Sequence, residues 1–278
     1  MSQPMDRIGA AFAQTRTEGR SAFIAYLVAG YPSSDAALGA AQAALDGGAD
    51  ILEIGVPFSD PMADGPVIAA ASRAALAAGG GLEGALDLSR ALRARGAGQP
   101  ILAMSYLNPL IAAGTGDALD ALAAAGVDGL IVPDLPAGED PGFEREVAER
   151  GLRIAFLVAP NTPKRRVELA VAASTAFLYV VPLLGVTGAR NSLAAGALEL
   201  VREIRAIAAG RVPVVAGFGI SSGPQVAKMG EAADGVVVGS ALVQALSGED
   251  HGGVERVRSL VAELTGRTPP LRAMAASR

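Results

Sequence analysis

From position 21 onward, short runs of apolar residues alternate with longer, alanine-rich stretches whose apolar positions recur at helical spacing. The short runs are rich in Val and Ile and carry few polar positions, the pattern of strands buried on both faces. They predict strands over 22–28, 51–55, 101–106, 129–132, 154–158, 177–181, 214–216 and 235–238. The longer stretches predict helices that include 35–46, 82–95, 118–125, 139–150, 163–173, 193–208, 224–229 and 254–264. Residues 1–20 read as an opening amphipathic helix. Strand followed by helix, repeated on this scale, predicts a parallel sheet with helical crossovers. Eight strands with no linker and no break in composition favour closure, so the expected fold is α/β, a (β/α)8 TIM barrel with an extra N-terminal helix, in a single domain over 1–278. A doubly wound sheet would carry G-x-G-x-x-G after its first strand, and Gly30-Tyr-Pro does not supply it. Three helix-to-strand turns echo one another: G-A-D-I-L-E-I from Gly48, G-V-D-G-L-I-V from Gly126 and A-A-D-G-V-V-V from Ala232. In each, a small residue can end the helix and an Asp leads into the strand.

The chain has 278 residues, 51% of them hydrophobic, and no cysteine. That is enough to bury a large core. It excludes disulfides, a Cys-ligated zinc and a thiol nucleophile, and fits a reducing cytoplasm. A net charge of −5 with scattered arginines leaves no basic stripe, so no nucleic-acid partner is expected, but a small molecule or another protein. The first 20 residues contain Asp6, Arg7, Arg16, Glu18 and Arg20 and no apolar core of a signal peptide. A mean hydropathy of +0.38 and two uncharged runs, 96–116 and 169–189, raise the question of a membrane. Asn108, Pro109 and Gly114 interrupt the first run, and Ser174, Thr175, Pro182 and Gly185 the second, so neither is read as a span.

The chemistry is expected in the segment L-E-I-G-V-P-F-S-D-P-M-A-D-G-P from Leu52 to Pro66, which places Glu53, Asp60 and Asp64 at the end of the second strand. Active sites of such barrels lie on the loops that follow the strands. Glu53 is the anomaly, a carboxylate inside an apolar strand, and must be either an ion-pair member or a working acid/base. Asp64 and Asp60, in a Pro- and Gly-rich loop, could each be turn residues. The two lysines, Lys164 and Lys228, fall in helical stretches away from strand ends, which leaves Schiff-base chemistry without a nucleophile. The single histidine, His251, lies in a polar segment and reads as a solvated loop residue. One His and no Cys cannot assemble a zinc site without carboxylates dominating it. Glu53, Asp60 and Asp64 leave an oxygen-only Mg²⁺ site open, although the expectation is no metal. Acid/base work by Asp, Glu and Tyr remains. G-F-G-I-S-S from Gly217 and G-S-A-L from Gly239 follow the seventh and eighth strands, where barrels bind phosphate through backbone N–H groups. The G-V-T-G segment at 185–188 could be a mobile lid. Tyr26, Tyr106 and Tyr179 lie near the ends of strands one, three and six, either as packing at the barrel mouth or as a pocket for a flat apolar group.

Taken together, the segment 52–66, G-V-T-G at 185–188, G-F-G-I-S at 217–221 and G-S at 239–240 closely resemble the tryptophan synthase alpha chain family over nearly the whole length. The resemblance implies cleavage of indole-3-glycerol phosphate to indole and glyceraldehyde 3-phosphate by retro-aldol chemistry. It implies no cofactor in this chain, and a beta chain partner holding pyridoxal phosphate in an alpha-beta-beta-alpha assembly. Carried over by motif, Glu53 is the general acid/base, Asp64 holds the indole N–H and Tyr179 matches an active-site tyrosine. Tyr26 and Tyr106 match the indole pocket, and Gly188, Gly219, Gly239 and Ser240 the phosphate cradle. Thr187 matches the threonine that closes the lid onto Asp64, and Asp60 lies in the loop that meets the partner. The segment before the lid reads P-L-L-G-V-T-G, with Leu183 where some members carry Arg, so that arginine's lid contacts are not available here. Two rival readings are another phosphosugar barrel enzyme such as an isomerase, which usually uses a Lys, Cys or His acid/base, and a non-catalytic regulatory subunit that only signals to a partner.

Overall fold

Every residue of β1 (Ala22–Val28) is buried, and successive residues divide between two cores. Ala22, Ile24, Tyr26 and Val28 point into one cluster, and Phe23, Ala25 and Leu27 into another, as the two-residue repeat of a strand requires. The same division runs through β2 (Ile51–Gly55), β3 (Ile101–Met104), β4 (Gly129–Ile131), β5 (Arg153–Val158), β6 (Leu178–Val180), β7 (Val214–Ala216) and β8 (Gly235–Val238). Each strand pairs in parallel with the next and β8 pairs with β1, so the sheet closes into a barrel whose inward residues form one cluster and whose outward residues pack beneath the helices. The computed structural model describes residues 6–181, 196–217, 219–248 and 252–267.

The helices are α1 (Arg7–Thr17), α2 (Ser34–Asp46), α3 (Pro66–Ala77), α4 (Leu82–Ala94), α5 (Leu107–Ala112), α6 (Thr115–Ala124), α7 (Pro141–Glu149), α8 (Lys164–Ala173), α9 (Ala197–Ala208), α10 (Gly223–Gly230), α11 (Ser240–Leu246) and α12 (Gly253–Thr265). This is a (β/α)8 TIM barrel. The extra helix, α1, puts Ile8 and Phe12 into the inner cluster. Phe12 meets Phe177 edge-on with ring centroids 6.0 Å apart, and Phe177 meets Tyr179 at 6.1 Å, so aromatic contact runs from α1 up to the last inward residue of β6.

The three echoing turns share one structure. Asp50, Asp128 and Asp234 each accept a backbone N–H from the preceding strand of the barrel, from Phe23, Ile101 and Val214 respectively, all at 2.8 Å. Each also meets arginine: Asp50 pairs with Arg20 and Arg267, Asp128 with Arg7 and Arg93, and Asp234 with Arg205. Burial pushes Asp50 up, but bonds from Arg20, Arg267 and the Phe23 N–H outweigh it and hold the carboxyl below its usual range. These aspartates fasten adjacent strands at the N-terminal end of the barrel, opposite the expected chemistry.

Two boundaries differ from expectation in ways that bear on function. β3 ends at Met104, so Tyr106 is not a strand residue but the cap that begins α5. α3 occupies a stretch the apolar periodicity left unassigned, starting with Pro66, whose fixed φ suits a first helical position.

Candidate active site

Glu53 shares the inward face of β2 with Ile51, beside Tyr26 on β1 and Leu102 on β3. It is 1% exposed, and neither carboxylate oxygen has a hydrogen-bond partner among the described residues. Nor is it paired with a cation there, so of the two readings open in the sequence the ion pair lacks its partner. Burial, and secondarily the charge of Asp64, push its pKa up to about 8, so at neutral pH the carboxyl holds its proton. Asp64 reaches the same space from the loop after β2, whose turns are closed by Met62 N–H to Asp60 O at 2.9 Å and Asp64 N–H to Pro61 O at 3.1 Å. Burial raises its pKa to about 6, opposed by a hydrogen bond from Tyr106. Two carboxyls with separated values in one site can divide the labour, one proton-bearing and one ionised.

Tyr26 and Tyr179 are both buried, and both phenols are held well above their usual range, first by burial and then by Asp64 and Glu53. Glycine makes room for them. A side chain at Gly55 would collide with the Tyr26 hydroxyl, and a Cβ at Gly217 would stand 2.5 Å from the Tyr179 hydroxyl. These carboxyls and phenols line a cavity of about 930 Å³ including its open mouth, with Met104, Val67 and Ile68 as apolar wall. Its other wall is Gly219, Ile220 and Ser221 after β7, and Gly239, Ser240 and Ala241 at the start of α11. Gly219 adopts φ +73°, open to glycine at little cost, and no side chain among the described residues caps the start of α11.

Seven of the residues expected at the site therefore meet in one cavity: Tyr26, Glu53, Asp64, Tyr179, Gly219, Gly239 and Ser240. Tyr106 does not line it but stands behind the loop that carries Asp64. Asp60 is exposed and bonded by its neighbour Ser59, away from the cavity. Thr187, Gly188, Leu183, Phe218 and His251 lie outside the described residues. Lys164 and Lys228 are exposed on α8 and α10. No group of three or more His, Cys, Asp or Glu among the described residues could hold a metal, and no helix among them is long and apolar enough to cross a membrane.

A sequence model of the tryptophan synthase alpha chain matches residues 12–268. The tryptophan synthase alpha chain of Roseiflexus castenholzii is 43% identical over 264 residues, covering 94% of this chain and 100% of that one. That of Carboxydothermus hydrogenoformans is 44% identical over 240 residues, covering 86% and 89%. The chain belongs to the tryptophan synthase alpha chain family. Solved structures agree: Mycobacterium tuberculosis tryptophan synthase superposes with a TM-score of 0.84 at 40% identity over 93% of this chain and 96% of that one. A mutant alpha-subunit from Pyrococcus furiosus does so with a TM-score of 0.80 at 37% identity, over 88% and 98%. Membership makes the chain a lyase subunit of tryptophan biosynthesis.

Some residues that shape this alpha-chain site went unread in the sequence. Gly55 reads in the sequence as the last residue of a strand and Gly217 as the start of a phosphate loop; that they make room for Tyr26 and Tyr179 is not legible locally, because those tyrosines stand on other strands. Gln225, buried on α10, accepts the Ser221 N–H at 2.9 Å and so ties the loop after β7 to its helix. A polar residue at a core position of an amphipathic helix was the available signal for it.

Proposed function

We propose that this chain cleaves indole-3-glycerol phosphate into indole and glyceraldehyde 3-phosphate, as a single barrel domain over 1–278 in the cytoplasm. Its partner is a tryptophan synthase beta chain in an alpha-beta-beta-alpha assembly, and any pyridoxal phosphate belongs to that partner. The observation that carries this reading is Glu53, a buried carboxyl without a hydrogen-bond partner among the described residues, facing a cavity shared with Asp64 and bounded by the start of α11, which no described side chain caps.

With a pKa of about 8, Glu53 starts protonated at neutral pH and gives its proton to C3 of the indole ring. The carboxylate so formed removes the proton of the side-chain hydroxyl next to the ring as the carbon–carbon bond breaks. The electrons of that bond return to the ring, the aldehyde leaves as glyceraldehyde 3-phosphate, and Glu53 is again protonated. One proton enters and one leaves, so a single group serves both steps. Asp64, ionised above about pH 6, accepts a hydrogen bond from the ring N–H and stabilises the positive charge created there by C3 protonation. Tyr26 and Tyr179, held neutral, flank the ring, while backbone N–H groups at Gly219, Gly239 and Ser240 receive the phosphate.

The test is direct. Purified chain, alone and with a cognate beta chain, is mixed with indole-3-glycerol phosphate and indole is followed over time. Release of indole that depends on Glu53 supports the reading, and no indole under either condition overturns it.

A further inference from the structure

Tyr106 is 3% exposed but absent from the walls of the cavity that holds Glu53 and Asp64. Its side chain is engaged by the loop 57–65 instead. The backbone N–H of Ala63 donates to its phenolic oxygen at 2.8 Å. The ring of Phe58 lies against its ring, centroids 5.1 Å apart at 31°. The adjacent Asp64 carboxyl lies close enough to its hydroxyl for the phenol to lower the Asp64 pKa against the effect of burial. A phenol has one proton to give. With the Ala63 N–H donating into an oxygen lone pair, that proton is left to be given to Asp64.

The rest of the loop has little to hold it. Its other backbone hydrogen bonds are its own turns, and among the described residues the Ala63 bond is the one that ties the backbone of 57–64 to a residue outside the loop. On the outer side Asp60 is exposed and Met62 is 86% exposed. Three contacts to one aromatic side chain, two of them on consecutive residues, therefore decide where the Asp64 carboxylate stands.

We propose that Tyr106 is a positioning residue that fastens the loop after β2 and, by donating to Asp64, presents that carboxylate to the ring N–H of the substrate. It acts through Asp64 rather than on the substrate, and so rests on the role given to Asp64 above. The titratable and charged groups facing this pair are Glu53 on β2, Tyr26 on β1, Tyr179 on β6 and Asp134 after β4. Asp60 belongs to the loop itself. No cation among the described residues offers Asp64 an alternative partner.

Tyr106→Phe keeps the ring and its contact with Phe58 and removes only the oxygen. Assayed with the beta chain present, kcat should fall about 10- to 100-fold, the worth of a hydrogen bond to a charged group, while the KM for indole-3-glycerol phosphate changes much less. The acid limb of the rate profile should move to higher pH, because the bond that lowers Asp64 is gone. In an Asp64→Asn background the same substitution should add almost nothing. Unchanged kcat and acid limb, or a full additional loss in the Asp64→Asn background, overturns the proposal. If instead Asp64→Asn itself turns over like wild type, the role of Asp64 is what fails. Should Tyr106→Phe fold poorly, amide exchange in the wild type decides: Ala63 N–H protected well beyond its loop neighbours supports the anchor, and exchange at their rate overturns it.

Discussion

A carboxyl that is 1% exposed, with neither oxygen hydrogen-bonded among the described residues, costs free energy to ionise, and Glu53 is held protonated for that reason. Its pKa is about 8 in the folded chain, against about 4.3 in an unfolded one. The raised value means that its contribution to stability is intact below about pH 4.3 and is lost as pH rises through about 8. Melting temperature should accordingly fall between about pH 5 and pH 9 in the wild type and stay flatter in Glu53→Gln; parallel curves for the two proteins would show that Glu53 ionises freely in the fold. The same substitution keeps the shape of the side chain and removes its titratable proton. Indole release should drop by roughly 10²- to 10⁴-fold with ligand binding largely kept, and near-normal turnover would end the assignment. For the wild type, kcat/KM should rise as Asp64 ionises near pH 6 and fall as Glu53 loses its proton near pH 8, and a rate that keeps rising past pH 9 contradicts that division. Glu53 was legible in the sequence because a charge in a buried strand breaks a local rule. Tyr106 was legible as an aromatic residue at the barrel mouth and in the indole pocket, not as an anchor of the loop after β2. Its partner is a backbone N–H 43 positions away, which no local pattern reports.

Among the secondary-structure elements, strands were easier to read than the loops and helices after them. β1, β2, β7 and β8 have the predicted bounds, since β-branched and apolar residues buried on both faces leave a continuous signal. The expected third strand ran on through Ser105 and Tyr106 because both sit in an apolar run, yet the chain leaves the sheet there to begin α5. α3 was obscured by the Pro and Gly before it, although Pro66 is the residue that starts it. The glycines after β7 and β8 were read as a phosphate cradle from their place in the barrel, and α11 begins at Ser240. Gly239→Asp tests the cradle: affinity for both indole-3-glycerol phosphate and glyceraldehyde 3-phosphate should collapse while circular dichroism stays native. A Cβ at this position would also come within 3.0 Å of the Tyr26 ring, so Gly239→Ala is the control. If the alanine variant loses as much affinity as the aspartate one, crowding of Tyr26 explains the loss. If Gly239→Asp binds either ligand normally, the phosphate sits elsewhere.

Across the molecule as a whole, the two ends of the barrel are built differently. At one end α1 and the Asp–Arg ties close the inner core, while at the other the loop after β2 is exposed on its outer side. Met62 in that loop and Ile111 on α5 are large apolar side chains 86% and 56% exposed. Asp60, in the same loop as Met62, is exposed and does not line the cavity. A beta chain docking over this loop would restrict it, and a loop held in the form that presents Asp64 turns over faster without any change at Glu53. The isolated chain should therefore be slow, a cognate beta chain should accelerate it, and Asp60→Asn should lose most of the acceleration while keeping the slow basal rate. Coupling of this kind is reciprocal, so bound indole-3-glycerol phosphate should also tighten the beta chain's association, by the same factor that the beta chain tightens ligand binding. Rates with and without partner, together with titrations of partner in the presence and absence of ligand, measure both sides. If Asp60→Asn is activated as fully as wild type, Asp60 is a turn residue capped by Ser59, and the signal from the partner reaches Asp64 by another surface.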